Sequence, residues 1–373
     1  MRGRVATRRL LVGLTVMFLL AGCSAGATPV PTATATPAPA ASPTAARSPS
    51  ATAAHYSPVT EVTGTVTCPT ADLGTATTDT DGITHYRGGT FRCGVTTDDP
   101  RVDGTESASW NMDLWGTADD GAAVQWGTTR LANDGGAWEG TGSGVYSSDR
   151  GDIIADWYKG TGGYAGLGYF ELWTGNMPWT INGLIFPGDP PNLASMPPAA
   201  TPAPQPTAIA SPTAILPPTA TAIAHGPVSV VTGTHVFTTT DVGVSTAGPD
   251  GLTRYRNGTF TGNDTANDPR ASFTWTGSPW AMDLWGTFSD GGGIEWGASR
   301  DENAGGTWEC SGSGIFSSDR EDTIAIWCKG AGGYAGLAYF ELITASDPFG
   351  LIPSDEPNRL IHSEIFPGNP PTP

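Results

Sequence analysis

Positive charge is scarce in this chain. Its 373 residues hold 18 Lys and Arg against 36 Asp and Glu, a formal net charge of −18. Such a balance excludes a nucleic-acid partner, or a membrane surface gripped through a basic face. Long apolar runs are missing too. The stretch from Leu10 to Leu20 falls well short of a membrane span. Helical periodicity is absent outside that stretch, which argues against an α-helical domain. The five histidines, His55, His85, His225, His235 and His362, are scattered. With no His-x-x-x-His or Cys-x-x-Cys spacing, no zinc site is expected. The chain has no Gly-x-Ser-x-Gly elbow and no Gly-x-x-x-x-Gly-Lys loop, so a serine-hydrolase nucleophile and a phosphate cradle are excluded, and no cofactor is implied.

What is present begins at the N-terminus. Arg2, Arg4, Arg8 and Arg9 precede the apolar stretch, and Leu20-Ala21-Gly22-Cys23 follows it. This layout reads as a secretory leader. Its last four residues resemble the signal of bacterial lipoproteins. The resemblance implies cleavage before Cys23, lipid on that cysteine, and anchoring to the outer face of a bacterial cell membrane. Losing the leader's four arginines takes the net charge from −18 to −22, so lipid rather than charge must hold the protein there. Arg8-Arg9 also resembles a twin-arginine export signal; the general secretory route is the alternative.

The expected organisation is a leader (1–22), a Pro/Thr/Ala-rich stalk (23–56), a first module (57–192), a similar linker (193–226) and a second module (227–373). Stalk and linker are too poor in apolar residues to bury a core and read as extended spacers. The modules are copies. Met112-Asp113-Leu114-Trp115-Gly116 recurs as Met282-Asp283-Leu284-Trp285-Gly286, and Ile185-Phe186-Pro187-Gly188 as Ile365-Phe366-Pro367-Gly368. From Met112 to Leu172 the copies align without a gap, with about two-thirds of positions identical. An insertion around Ser346 to Arg359 lengthens the last loop of copy 2.

Each module reads as all-β, with short runs of β-branched and aromatic residues broken by turn signals. Strands are expected in copy 2 at 271–276, 281–288, 293–298, 307–315, 323–328 and 334–343. The expected architecture is two tandem small antiparallel barrels of about eight strands each; a β-sandwich is the alternative. The run Gly160 to Leu167, echoed at Gly330 to Leu337, resembles the Gly-rich strand of small calycin-like barrels of the allene oxide cyclase and dirigent group. That resemblance implies a barrel and carries no catalytic residue with it.

The cysteines sharpen the fold. With Cys23 set aside, Cys68, Cys93, Cys310 and Cys328 form two disulfides in an exported chain. Cys310 and Cys328 stand where copy 1 has Gly140 and Tyr158; Cys68 and Cys93 stand where copy 2 has Phe237 and Gly262. A disulfide and an aromatic ring over a cross-strand Gly need similar backbone proximity. Each pair is therefore expected to face across adjacent strands. Gly140 opposite Tyr158 centres a hairpin on Asp149, with Gly142 facing Asp156 and Gly144 facing Ile154. Alternating glycines on one face predict a strongly coiled strand.

Chemistry is sparser. Asp79-Thr80-Asp81-Gly82 resembles a fragment of a calcium loop but reads as a turn. Asp113, Glu139, Asp149, Asp152 and Glu171 recur in both copies. Asp113 with Glu139 or Glu171 would serve an isomerase or glycosidase; ion pairing with Arg87, Arg130 or Lys159 is the structural alternative, and Asp149 and Asp152 are expected in a solvated turn. Asp113 beside Trp115, and Asp283 beside Trp285, have the form of a sugar platform. Asp156, whose counterpart is Ile326, marks a buried acid or polar pocket if it points inward. The expected function is duplicated, non-catalytic binding of a carbohydrate or small apolar ligand. An enzyme and a structural or adhesion protein are the alternatives.

Overall fold

A computed structural model describes residues 58–192, 223–225, 228–318, 322–345 and 360–371. The leader, Cys23, the stalk, most of the linker and the insertion after copy 2's penultimate strand lie outside these residues. Among the described residues there is no α-helix, and no helix long and apolar enough to cross a membrane.

Module 1 comprises β1 (Thr60–Asp72), β2 (Thr75–Thr78), β3 (Ile83–Thr97), β4 (Gly104–Trp115), β5 (Ala122–Asn133), β6 (Gly136–Ser147), β7 (Gly151–Gly162), β8 (Leu167–Gly175) and β9 (Trp179–Pro187). All pairings are antiparallel, running β1-β9-β8-β7-β6-β5-β4-β3-β2. β1 also pairs β3. Eight strands thus close into a barrel, with short β2 added outside the ring. Module 2 repeats the plan with β10 (Ile223–His225), β11 (Val228–Asp241), β12 (Val244–Ala247), β13 (Leu252–Ala266), β14 (Thr274–Trp285), β15 (Gly292–Asn303), β16 (Gly306–Ser317), β17 (Asp322–Ala331), β18 (Leu337–Ala345) and β19 (Leu360–Pro367). The β11–β13 pairing closes it. Closure satisfies every strand edge within the ring.

The register is the one read from the cysteines. Gly140 pairs with Tyr158, Gly142 with Asp156 and Gly144 with Ile154. Cys310 pairs with Cys328 and Phe237 with Gly262. Both expected disulfides are present. A Cβ on Gly140 would sit 2.6 Å from the Tyr158 ring, so ring and glycine do occupy one spot there. At Gly262 the ring is that of Trp275 on β14, 2.4 Å from such a Cβ. The side chain of Phe237 lies outside the described residues.

Strand boundaries differ from the expectation in several places. The runs 271–276 and 281–288 fall on one strand, β14, which spans only Thr274–Trp285 and has an irregular register between Gly277 and Trp280, and the run expected at 334–343 begins as a strand only at Leu337. The Gly160–Leu167 run is a hairpin corner. β7 ends at Gly162 and β8 starts at Leu167, with Gly162 and Gly166 at φ of 65° and 87°.

Each barrel has an inner core. In module 1, Val62, Trp110, Leu131, Trp138, Tyr158 and Tyr169 fill the lumen; in module 2, Val231, Trp275, Trp308 and Tyr339 do so. A further core lies between the barrels, which belong to one compact unit. Outward residues Val145, Ile153, Phe170, Leu172 and Phe186 pack with Ile315, Ala325, Phe340, Leu342 and Phe366. The contacts are reciprocal. The Trp157 indole donates to Ser313 Oγ at 3.0 Å, and that of its counterpart Trp327 donates to Ser143 Oγ at 2.9 Å. Trp115 packs on Phe366, and Trp285 on Phe186. The two copies therefore meet through the same surface, as in a two-fold dimer.

Candidate functional site

Three places carry chemistry: the outer face around Asp113, the two lumens, and the crevice between the barrels. On the outer face, Asp113 is not free to act. Arg87 Nη2 lies 2.6 Å from its Oδ1 and His85 Nδ1 2.7 Å. That hydrogen bond to Asp113 holds the His85 imidazole above its ordinary value. The guanidinium of Arg87 stacks over Trp126 at 4.9 Å, and Arg256 repeats this with Asp283 and Trp296. Trp115 and Trp285 are 4% and 3% exposed, covered by the other module. A groove of about 330 Å³ runs past Asp113, Trp115 and Trp126, with Phe366 and Pro370 on its other side. Trp115 packs on Phe366 and Arg87 lies over Trp126, so the Asp–Trp pairing of the sequence sits on the inter-module seam.

The carboxylates named for catalysis do not converge. Glu139 is exposed and faces Arg130 at 3.6 Å; Lys159 pairs with Asp189 instead. Glu171 points into the lumen, where it accepts from the Tyr169 hydroxyl at 2.6 Å and from the Trp173 indole. Burial pushes its carboxyl up to about 7, and those two hydrogen bonds keep it from rising further. Asp149 is in the turn as expected, but Asp152 is not. It lies on β7, half-buried, accepting from Gln125 Nε2 at 2.6 Å and Trp179 Nε1 at 2.8 Å. Burial raises its pKa. Asp79 caps its own turn, accepting the amides of Asp81 and Ile83.

Asp156 does point inward, 1% exposed, into the space its partner Gly142 leaves. It joins Glu106 and Glu171 in a lumen without basic side chains among the described residues. Burial, then the neighbouring Glu171 charge, raises both Asp156 and Glu106 well above the carboxylate range. The second lumen gathers His235, Asp264, Glu295, Asp301 and Glu341. Nothing in the sequence spacing brings these together; closure of β11 against β13 does. The space left is small, about 60 Å³ in the first lumen and 50 Å³ in the second. Neither holds a ligand larger than a few water molecules.

A cavity of about 640 Å³ lies between the modules. Ile153, Leu172 and Leu184 line one wall and Ile315 and Leu342 the other. Polar side chains share the lining: Glu61, Arg150, Thr174, Asn182, Ser317 and Thr323. Arg150 Nη2 reaches across to Glu364 Oε1 at 3.0 Å, a half-buried ion pair linking the modules. Ser317 donates to Glu61. Arg150 Nη1 is buried and has no acceptor among the described residues. An apolar recess with a few convergent polar groups is the usual form of a small-molecule site. The sequence offered no signal for it, because the recess needs outward residues of both copies. No family model matches this chain, and no curated protein or solved structure matches it.

Proposed function

We propose that this chain is an exported binding protein, held at the membrane by lipid on Cys23, whose ligand seat is the crevice between its two barrels. The single observation that carries this reading is the 640 Å³ recess, with aliphatic side chains among polar ones on both walls, beside a buried Arg150 Nη1 without an acceptor. The complementary ligand is a small apolar molecule with one oxygen acceptor. A carbohydrate fits less well, since the indoles of Trp115 and Trp285 are already covered. The packed lumens and the dispersed carboxylates give catalysis no support.

Calorimetric titration of the mature chain with medium-chain fatty acids tests the seat. Saturable binding is expected, and Thr174→Trp, which fills the crevice from its half-buried rim, is expected to abolish it while the melting temperature holds. No heat with any chain length, or binding untouched by T174W, overturns the assignment. A scaffold role on a stalk then remains. Detergent phase partition of wild type against Cys23→Ala tests the anchor; equal partition of the two sinks it.

A further inference from the structure

From the second lumen we infer that module 2 binds a divalent first-row transition-metal ion through His235, Asp264 and Glu341. His235 and Asp264 are register partners across β11 and β13. His235 Nδ1 lies 2.7 Å from Asp264 Oδ1 and 4.0 Å from Glu341 Oε1. One ligating atom from each of the three lies within 4.8 Å of the others. Ligands about 2.0–2.2 Å from a common ion are separated by distances of this order.

The surroundings require a cation or protons. All three side chains are at least nine-tenths buried. Asp264 Oδ2 and Glu341 Oε1 receive no hydrogen bond from a donor among the described residues. Asp301 and Glu295 are buried in the same lumen, and among the described residues no Lys or Arg is buried with them. Two carboxylates around a doubly charged ion make a neutral unit, which a low-dielectric interior accepts far better than bare charges. Imidazole with two carboxylates suits zinc, manganese or iron rather than calcium or magnesium. The 50 Å³ cavity bordered by His235 and Glu295 leaves room for water on the open side of the ion.

Module 1 provides an internal contrast. Its residues at these positions are Val66, Val95 and Glu171. There the glutamate is satisfied by Tyr169 and Trp173. Module 2 has Ile343 in place of Trp173, so that indole donor is gone, and has His235 and Asp264 in place of the two valines. Trp275, which stands where module 1 has Glu106, donates its indole to Asp264 Oδ1 at 3.0 Å, so Asp264 Oδ2 and Glu341 Oε1 are the carboxylate atoms left for an ion.

The test uses the mature chain, stripped with a chelator and titrated with zinc, manganese or cobalt. One equivalent per chain is expected, with a higher melting temperature and, for cobalt, visible absorption bands. His235→Val with Asp264→Val installs the pair that module 1 already folds around; its affinity is expected to fall about 100-fold or more. Glu341→Gln, which keeps shape, provides a second variant with the same expectation. No ion bound by the folded wild type overturns the assignment. So does binding that survives both variants, which would place the ion among surface acids.

Discussion

Cys310 and Cys328 hold one cross-strand position by a covalent bond, where Gly140 and Tyr158 hold it by a ring lying on a glycine. The disulfide joins residues 18 apart. Removing a link across a loop of that length costs about 3 kcal/mol. Cys310→Gly with Cys328→Tyr is expected to recover part of this, and to be more stable than either single change, in urea unfolding. A double variant no better than the worse single would break the equivalence. Protonation is legible at the same scale. Glu171 keeps its proton up to about 7 in the folded chain, against about 4.3 when unfolded. Its folded pKa is raised, so its contribution is fully present below the unfolded value and is lost as pH rises toward 7. Stability should fall by up to about 4 kcal/mol across that window. Glu171→Gln should flatten the curve of urea midpoint against pH; an unchanged slope would show that the group titrates normally.

Strand β6 shows why glycine recurs at the element scale. A methyl on Gly144 would lie 2.0 Å from the carbonyl oxygen of Ile153, and Gly314 repeats this against Thr323. These atoms are backbone and cannot swing aside. Gly144→Ala must open the β6–β7 ladder, and is expected to cost about 3 kcal/mol, at the upper end of overpacking. A calorimetric melting point unmoved by G144A would mean the strands are less coiled than this. The alternation of Gly140, Gly142 and Gly144 made this element readable from sequence, as did the Ser-Ser-Asp-Arg turn after it. β14 was less readable because its local irregularity breaks the period. β8 carried a signal with a different meaning. Phe170 and Leu172 alternate with Tyr169, Glu171 and Trp173, and all five are buried. A strand apolar on both faces is covered on both faces. Here one cover is the lumen and the other is the second module. Asp113 and Trp115 were visible as a pair for the same local reason, yet what lies on them comes from far along the chain. The crevice and the His235 cluster depend wholly on such distant contacts, which no local spacing encodes.

At the scale of the molecule, reciprocity is the governing fact. Trp157 reaches Ser313 and Trp327 reaches Ser143; Trp115 meets Phe366 and Trp285 meets Phe186. Equivalent residues exchanging equivalent contacts make an isologous surface, and a surface that fits itself does not need a covalent link to stay closed. The linker then serves to hold the effective concentration high rather than to create the contact. If a protease site is placed within 193–222 and cut, the two halves are expected to co-elute in size-exclusion chromatography. Trp157→Ala with Trp327→Ala removes both indole donors and two large apolar groups from the seam. Truncations of this kind cost about 3–5 kcal/mol each in a core, and the cut halves of that variant are expected to separate. The inner cores do not include these residues, so each separated half should keep its strand signature in circular dichroism. Halves of the wild type that part on cutting would show that the linker, and not the shared face, brings the barrels together.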